Sequence, residues 1–406
     1  MLPLAFDSMQ TTQAPSILRK ETSFELEGKK YKAILLPSCQ DELFVDTGCD
    51  SVFQTRQYHA ALEAAPPGNM QFWYVRLECN DEVIGMLSFQ IKDFNPGDSL
   101  KKHAEKNFIQ KMRYRLASRI KLDVLCLGNT TVTGDYGFCF SKKIELRLQT
   151  LLMMQSIDWL LTLPEFRKIK MIFIKDFDSD IFKDIPGTHY CKMYHAIDTQ
   201  PSMIMDVPTE WKKLDHYLSA LKSKYRIRAN KALEKSAKLE RIELDAEQIK
   251  AIEPELHALY RKVVGDVGFN LFILSPHYFS TIKKSLGDKF KLWIYRDQGE
   301  LISFFTVIED GDILDAHFLG YDPKVNEEYK LYMTMLIRII ELATEKGFRK
   351  LQLSRTATEI KSSVGAVGVP MWAYLRLRNR VFNSLLPRVY NFFKPDLSWE
   401  ARHPFR

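Results

Sequence analysis

The chain lacks most of the features that assign a protein quickly. No apolar run approaches the roughly 18 residues that suggest a membrane-spanning helix. The richest stretch, residues 148–163, is broken by Gln155 and Asp158. The first ten residues hold no basic cluster and carry Asp7, so no secretory leader is expected. The six cysteines (39, 49, 79, 126, 139 and 191) form no C-x-x-C pair, and all lie in the first half. That spacing offers no zinc site, argues against a disulfide framework, and sets the expectation of a reducing, cytoplasmic location without a structural metal. A row of aromatics among the basic residues is missing too. Tyr225 interrupts the charges but makes no row for base stacking, which leaves sequence-specific RNA readout unsupported.

What is present is ordinary in amount and uneven in placement. The 406 residues are 46% hydrophobic and 27% charged, ample for two cores. The net charge of +7 is concentrated in residues 210–241, where ten basic side chains stand against four acidic ones. A local excess of this kind points to an anionic partner at one site. Lys222, Lys224, Arg226 and Arg228 fall inside it, on a segment read as one long helix over 210–238 with Thr209 as N-cap.

The chain also nearly repeats itself. FWYVRLECNDEVIGMLSFQI (72–91) is matched by FKLWIYRDQGELISFFTVI (290–308), each two strand-like runs around a polar turn. LDVLCLGN (122–129) is answered by LDAHFLGY (314–321). Each half then runs through an amphipathic stretch to Phe-Arg-Lys and an apolar strand. The repeated order predicts a duplicated α/β domain: two units, each a twisted mixed sheet with helices on both faces. The boundaries expected are a tail over 1–24, a first unit over 25–202 with an insertion at 93–121, a second unit over 203–380 and an amphipathic tail over 381–406. Further helices are expected at 246–265, 276–286 and 327–346, and strands at 312–320, 349–355 and 371–378.

This hairpin pattern, the strand ending in Leu319-Gly320, the helix after it and KLQLSRT (350–356) resemble the GNAT acyltransferase fold. Two such units in one chain resemble the FemAB-like transferases and the BioF2-like acetyltransferase group. KSKYRIRANKALEK (222–235) looks like the basic stretch that opens the second unit in that group, and SRTATEIKSSVGA (354–366) resembles a segment of GNAT proteins of peptidoglycan biosynthesis. The resemblance implies transfer of an acyl group from acyl-CoA, or of an aminoacyl group from aminoacyl-tRNA, to a small-molecule or lipid-linked amine. The departure is at the loop in which backbone N–H groups cradle the CoA pyrophosphate. After Gly320 this chain reads YDPKVNEEYK, and the first unit offers only GDYGF (134–138). A GNAT-fold binding protein without catalysis is therefore a further alternative.

Strict alternation along 313–321 would put Asp315, His317 and Tyr321 on one face. A neutral imidazole oriented by a carboxylate suits deprotonation of an amine, while a histidine satisfied within the sheet is the plain alternative. The first unit has Asp123 but Leu125 in place of the histidine, so the site is expected in the second unit. Ser354, Arg355, Glu359, Lys361 and Ser362 crowd a strand end, where ligands commonly sit in open α/β sheets. Arg355 suits a carboxylate or phosphate, and Glu359 a base or an orienting group. The run 378–393 alternates arginine with bulky apolar residues, as a helix lying on an anionic membrane does, or one packed on its own domain.

Overall fold

A computed structural model describes residues 19–46, 48, 50–95, 112, 115, 118, 119, 121–266, 272–393 and 397–406. Most of the expected tail over 1–24 and of the insertion over 93–121 lies outside the described residues. The first half runs β1 (Glu21–Leu26), β2 (Lys29–Leu36), α1 (Arg56–Ala64), β3 (Gln71–Cys79), β4 (Glu82–Phe94), β5 (Leu122–Leu127), β6 (Phe138–Phe140), α2 (Leu146–Leu160), β7 (Ile169–Phe177), α3 (Tyr190–Met193) and β8 (His195–Ile197). The second runs β9 (Ser202–Asp206), α4 (Leu214–Ala220), α5 (Ser223–Ser236), β10 (Glu240–Glu243), α6 (Ala246–Ala251), α7 (Glu253–Asp266), α8 (Tyr278–Leu286), β11 (Phe290–Asp297), β12 (Glu300–Asp310) and β13 (Ile313–Tyr321). It continues with α9 (Pro323–Tyr329), α10 (Leu331–Lys346), β14 (Lys350–Gln352), α11 (Thr358–Ser362), β15 (Val367–Val369), β16 (Trp372–Leu377) and α12 (Arg380–Phe393).

The two repeats build two mixed sheets of matching order. One reads β1-β2-β3-β4-β5-β7-β16-β8, with β6 also on β4; the other reads β10-β11-β12-β13-β14-β9-β15. In each a meander leads to one parallel pair, β5 with β7 and β13 with β14. An antiparallel strand follows on the far side of each pair. That strand is exchanged: β9, which follows the first repeat, pairs with β14, and β16, which follows the second, pairs with β7 and β8. The strand expected near 371–378 thus exists but joins the first sheet, so a second unit over 203–380 does not describe the sheet membership.

Alternation along β11 shows why these runs are strands. Phe290, Leu292 and Ile294 face a core shared by both halves, while Trp293 and Tyr295 face the core beneath α10. In the shared core, Tyr58 and Leu62 of α1 meet Tyr278, Phe279 and Ile282 of α8.

Several expected helices are divided. The helix expected over 210–238 breaks at Leu221, whose backbone is extended and bridges to Phe405. Lys222 N donates to Pro404 O at 2.8 Å, and the second part restarts from Lys222 rather than from Thr209. The residues beyond 397 therefore return to the second unit and interrupt the helix. Lys330, in a left-handed conformation, separates α9 from α10. Cys39, Cys79, Cys126 and Cys191 are free thiols.

Candidate active site at the splayed strands of the second sheet

The parallel ladder between β13 and β14 is short. It pairs Ile313, Leu314 and Asp315 with Lys350, Leu351 and Gln352 and goes no further. Beyond that point β13 continues to Tyr321 while the other chain turns away through Ser354 to Ala357. Among the described residues only the Ser354 hydroxyl bridges the gap, donating to Ala316 O at 3.5 Å. Ser354, Thr356 and Ala357 all have positive φ (57°, 64° and 48°) without being glycine. Three such residues within four positions store strain of the order of 1 kcal/mol or more each, which surrounding structure must hold in place.

β13 carries a bulge opposite Thr306. The register moves from Phe305↔Leu319 to Val307↔Ala316. The Thr306 hydroxyl donates to Phe318 O and accepts from Phe318 N, both at 2.9 Å, so the bulged backbone is satisfied. One extra residue reverses the faces beyond it. Leu314, Ala316, Leu319 and Tyr321 pack in the core beneath α10, whereas Phe318 packs in the core shared by the two halves. Tyr321 is therefore on the face opposite His317, and the expected trio of Asp315, His317 and Tyr321 is not formed.

Asp315 and His317 are buried, with Oδ1 and Nδ1 3.8 Å apart. Burial pushes the Asp315 carboxyl up to about 8, with Asp310 adding to the rise and Lys361 opposing it. It drives His317 down to about 3, so the imidazole is neutral. Lys361 is buried as well and is lowered to about 7, a shift that Asp315 opposes. Its Nζ donates to Arg355 O, directly beneath the accessible Ser354–Ala357 turn. Both Asp315 oxygens and His317 Nδ1 lack a hydrogen-bond partner among the described residues.

Residues of the first half complete the cluster. The Tyr278 hydroxyl and His317 Nε2 are 2.7 Å apart, and the two rings stack. The Tyr278 hydroxyl lies beside that of Tyr58, which is 2.9 Å from Thr131 Oγ1. Thr131 in turn donates to Asn129 Oδ1 at 2.6 Å. A chain of polar groups thus crosses from the loop after β5 to His317. Arg355 is spoken for by the first half: it pairs with Asp176, a buried residue of positive φ at the end of β7 that also holds Lys175. Gln352 Nε2 donates to Thr133 O at 3.1 Å.

The structure thus gathers Asp315, His317, Lys361, Ser354 and Arg355. Ser362 is buried at the rim, donating to Glu359 O and accepting from Arg402 N. Glu359 points outward to Arg402 and is not in the cluster. Lys222, Lys224, Arg226 and Arg228 lie on or at the start of α5, outside it. Lys222 donates to His403 O, while Lys224, Arg228 and Lys231 are exposed and, among the described residues, make no ion pair. Sequence reasoning missed Tyr58, Tyr278, Thr131 and Asp176. Apart from Tyr278 they come from the other repeat, and no spacing signals a contact of that range. Among the described residues no group of three or more His, Cys, Asp or Glu side chains is arranged to hold a metal ion, and no helix is long and apolar enough to cross a membrane.

Two sheets of matching order, one opening at a splayed parallel pair above buried titratable groups, define a tandem α/β protein with its candidate site in the second repeat. Residues 222–362, about a third of the chain, match the family described as an acetyltransferase (GNAT) domain. No curated protein matches the chain in sequence. Among solved structures it is similar to FemX (11% identity, 82% of this chain and 94% of that one, TM-score 0.49). It is also similar to a tandem GNAT protein from the clavulanic acid biosynthesis pathway (9%, 86% and 99%, TM-score 0.49) and to L-PGS from Bacillus licheniformis (12%, 82% and 96%, TM-score 0.44).

Proposed function

We propose that this protein transfers an acyl or aminoacyl group to an amine acceptor, at the splay between β13 and β14. The observation that carries the reading is the GNAT match over residues 222–362, which contains both splayed strands, the bulge and Lys361. An acceptor ammonium has to lose a proton to attack an acyl carbonyl. Lys361, lowered to about 7, suits that task near neutral pH better than His317, lowered to about 3. His317, stacked on Tyr278 and buried, then serves as a positioning residue. Backbone N–H groups at the open edge of β13 are the natural donors to a developing oxyanion.

Of the two donors, aminoacyl-tRNA is favoured by one observation and acyl-CoA by the family name. Where a glycine-rich phosphate cradle would follow β13, Asp322 caps the helix Pro323–Tyr329. Its carboxylate accepts from Lys324 N at 2.9 Å and pairs with Lys262 at 2.6 Å, so the helix start that would hold a pyrophosphate is already taken. The exposed Lys224, Arg228 and Lys231 offer phosphate contacts instead. With that donor, a cell-wall precursor in a bacterial cytoplasm is the acceptor we infer.

The test is binding of the intact protein to acetyl-CoA, and separately to charged and uncharged tRNA, at several salt concentrations. Lys224→Glu with Arg228→Glu should weaken charged-tRNA binding and flatten its logarithmic salt dependence by about 2. Saturable acetyl-CoA binding unaffected by the double variant would assign acyl-CoA as the donor. Binding to neither would sink the transferase reading.

A further inference from the structure

The helix α12 sits on the first unit by its polar side. Asn383 accepts from Leu377 N at 2.7 Å and donates to Met193 O at 2.9 Å. The Tyr390 hydroxyl donates to Asp198 O at 3.0 Å, and Leu386 is buried between them in sequence. At 100° per residue these three positions lie on one side of the helix. The adjoining outer arc, about 100° wide, carries Val381, Phe382, Leu385 and Val389, exposed by 68%, 62%, 42% and 47%. Of the nine large apolar side chains that the described residues expose, four are on this one face. A surface helix of a globular protein points its apolar stripe inward; this one points it out.

The charge around that face has one sign. Between Glu359 and Asp396 the chain has no acidic residue. Arg376 is paired with Asp158, and Arg378 donates to Phe166 O, Arg167 O and Leu161 O. Arg380 and Arg388 are exposed and have no ion-pair partner among the described residues. On the helical wheel Arg388 borders the apolar arc. An outward apolar arc bordered by unpaired arginine matches an interface whose first layer is anionic and whose interior is hydrocarbon.

We infer that α12 is a membrane-surface anchor: it docks the protein on an anionic lipid bilayer, with Val381, Phe382, Leu385 and Val389 inserted at the acyl boundary and Arg380 and Arg388 at the headgroups. The inference stands apart from the acyl-transfer reading, since it uses no residue of that site.

The test is co-sedimentation of the full chain with vesicles of phosphatidylcholine alone and of equal parts phosphatidylcholine and phosphatidylglycerol. The wild type should bind the mixed vesicles and leave the neutral ones in the pellet bare. Phe382→Ser with Leu385→Ser should weaken that binding by about tenfold or more, and Arg380→Glu with Arg388→Glu should do the same. All four side chains are exposed, so far-UV circular dichroism and thermal unfolding should match the wild type. Failure of the wild type to bind mixed vesicles overturns the proposal, as does undiminished binding by the serine variant. Self-association abolished by the serine variant, without vesicle binding, would assign the face to a second copy of the chain and likewise overturn it.

Discussion

Asp315 and Lys361 make the stability of this protein depend on pH in a way that can be worked out in advance. The folded Asp315 carboxyl titrates near 8 against an ordinary 3.8. Between those values the folded state keeps a proton the unfolded state has lost, so this group's contribution falls as pH rises. Lys361 runs the other way between about 7 and 10.5, and His317 between about 3 and 6.5, each adding stability as pH rises. Asp315→Asn removes the falling contribution, and without the carboxylate Lys361 loses its proton still lower. The stability of the variant relative to wild type should therefore increase from pH 5 to pH 8, measured by urea unfolding. A difference that stays flat across that range would mean that Asp315 is ionised throughout. Asp315 and His317 could be picked from alternation alone. Tyr321 could not, because the bulge that Thr306 fills reverses the face, and a bulge of this kind has no signature in a single sequence.

Elements are most easily misjudged where a distant segment touches them. Residues 210–238 have the composition of one helix and form two, because the bridge between Leu221 and Phe405 holds the chain extended there. The same Phe405 ring packs against Trp211 and Tyr217 and occupies the space that a side chain on Gly365 would need. Gly365 also has φ +114°, a conformation other residues rarely adopt. Gly365→Ala should accordingly cost about 1–3 kcal/mol, read as a lowered Tm. In a Phe405→Ala background the same substitution should cost less, since the clash is gone and only the backbone strain remains. An equal loss in both backgrounds would show that the Phe405 ring is not seated against Gly365.

At the scale of the molecule, the exchanged strands make the halves depend on each other unequally. Residues 202–369 contain every strand of the second sheet, but the first sheet needs β16 from beyond residue 371. Without it β8 loses its one ladder partner among the described residues and β7 becomes an open edge. A fragment of residues 19–201 should then fail to give a cooperative unfolding transition by circular dichroism, and appending residues 370–393 through a flexible linker should restore one. Cooperative unfolding of 19–201 alone would show that the exchange is dispensable.

The sequence by itself determined the duplicated α/β plan, the order of elements in each repeat, the two hairpins and the basic segment. Periodicity and repetition are local properties, and a chain displays them whatever it folds against. Only the tertiary structure decided that the repeats trade a strand, that a bulge parts Tyr321 from His317, that Arg355 is held by Asp176, and that Tyr58 and Thr131 of one half support Tyr278 and His317 of the other. Each of those depends on contacts between residues far apart in the chain, whose energy exists only once both partners are folded.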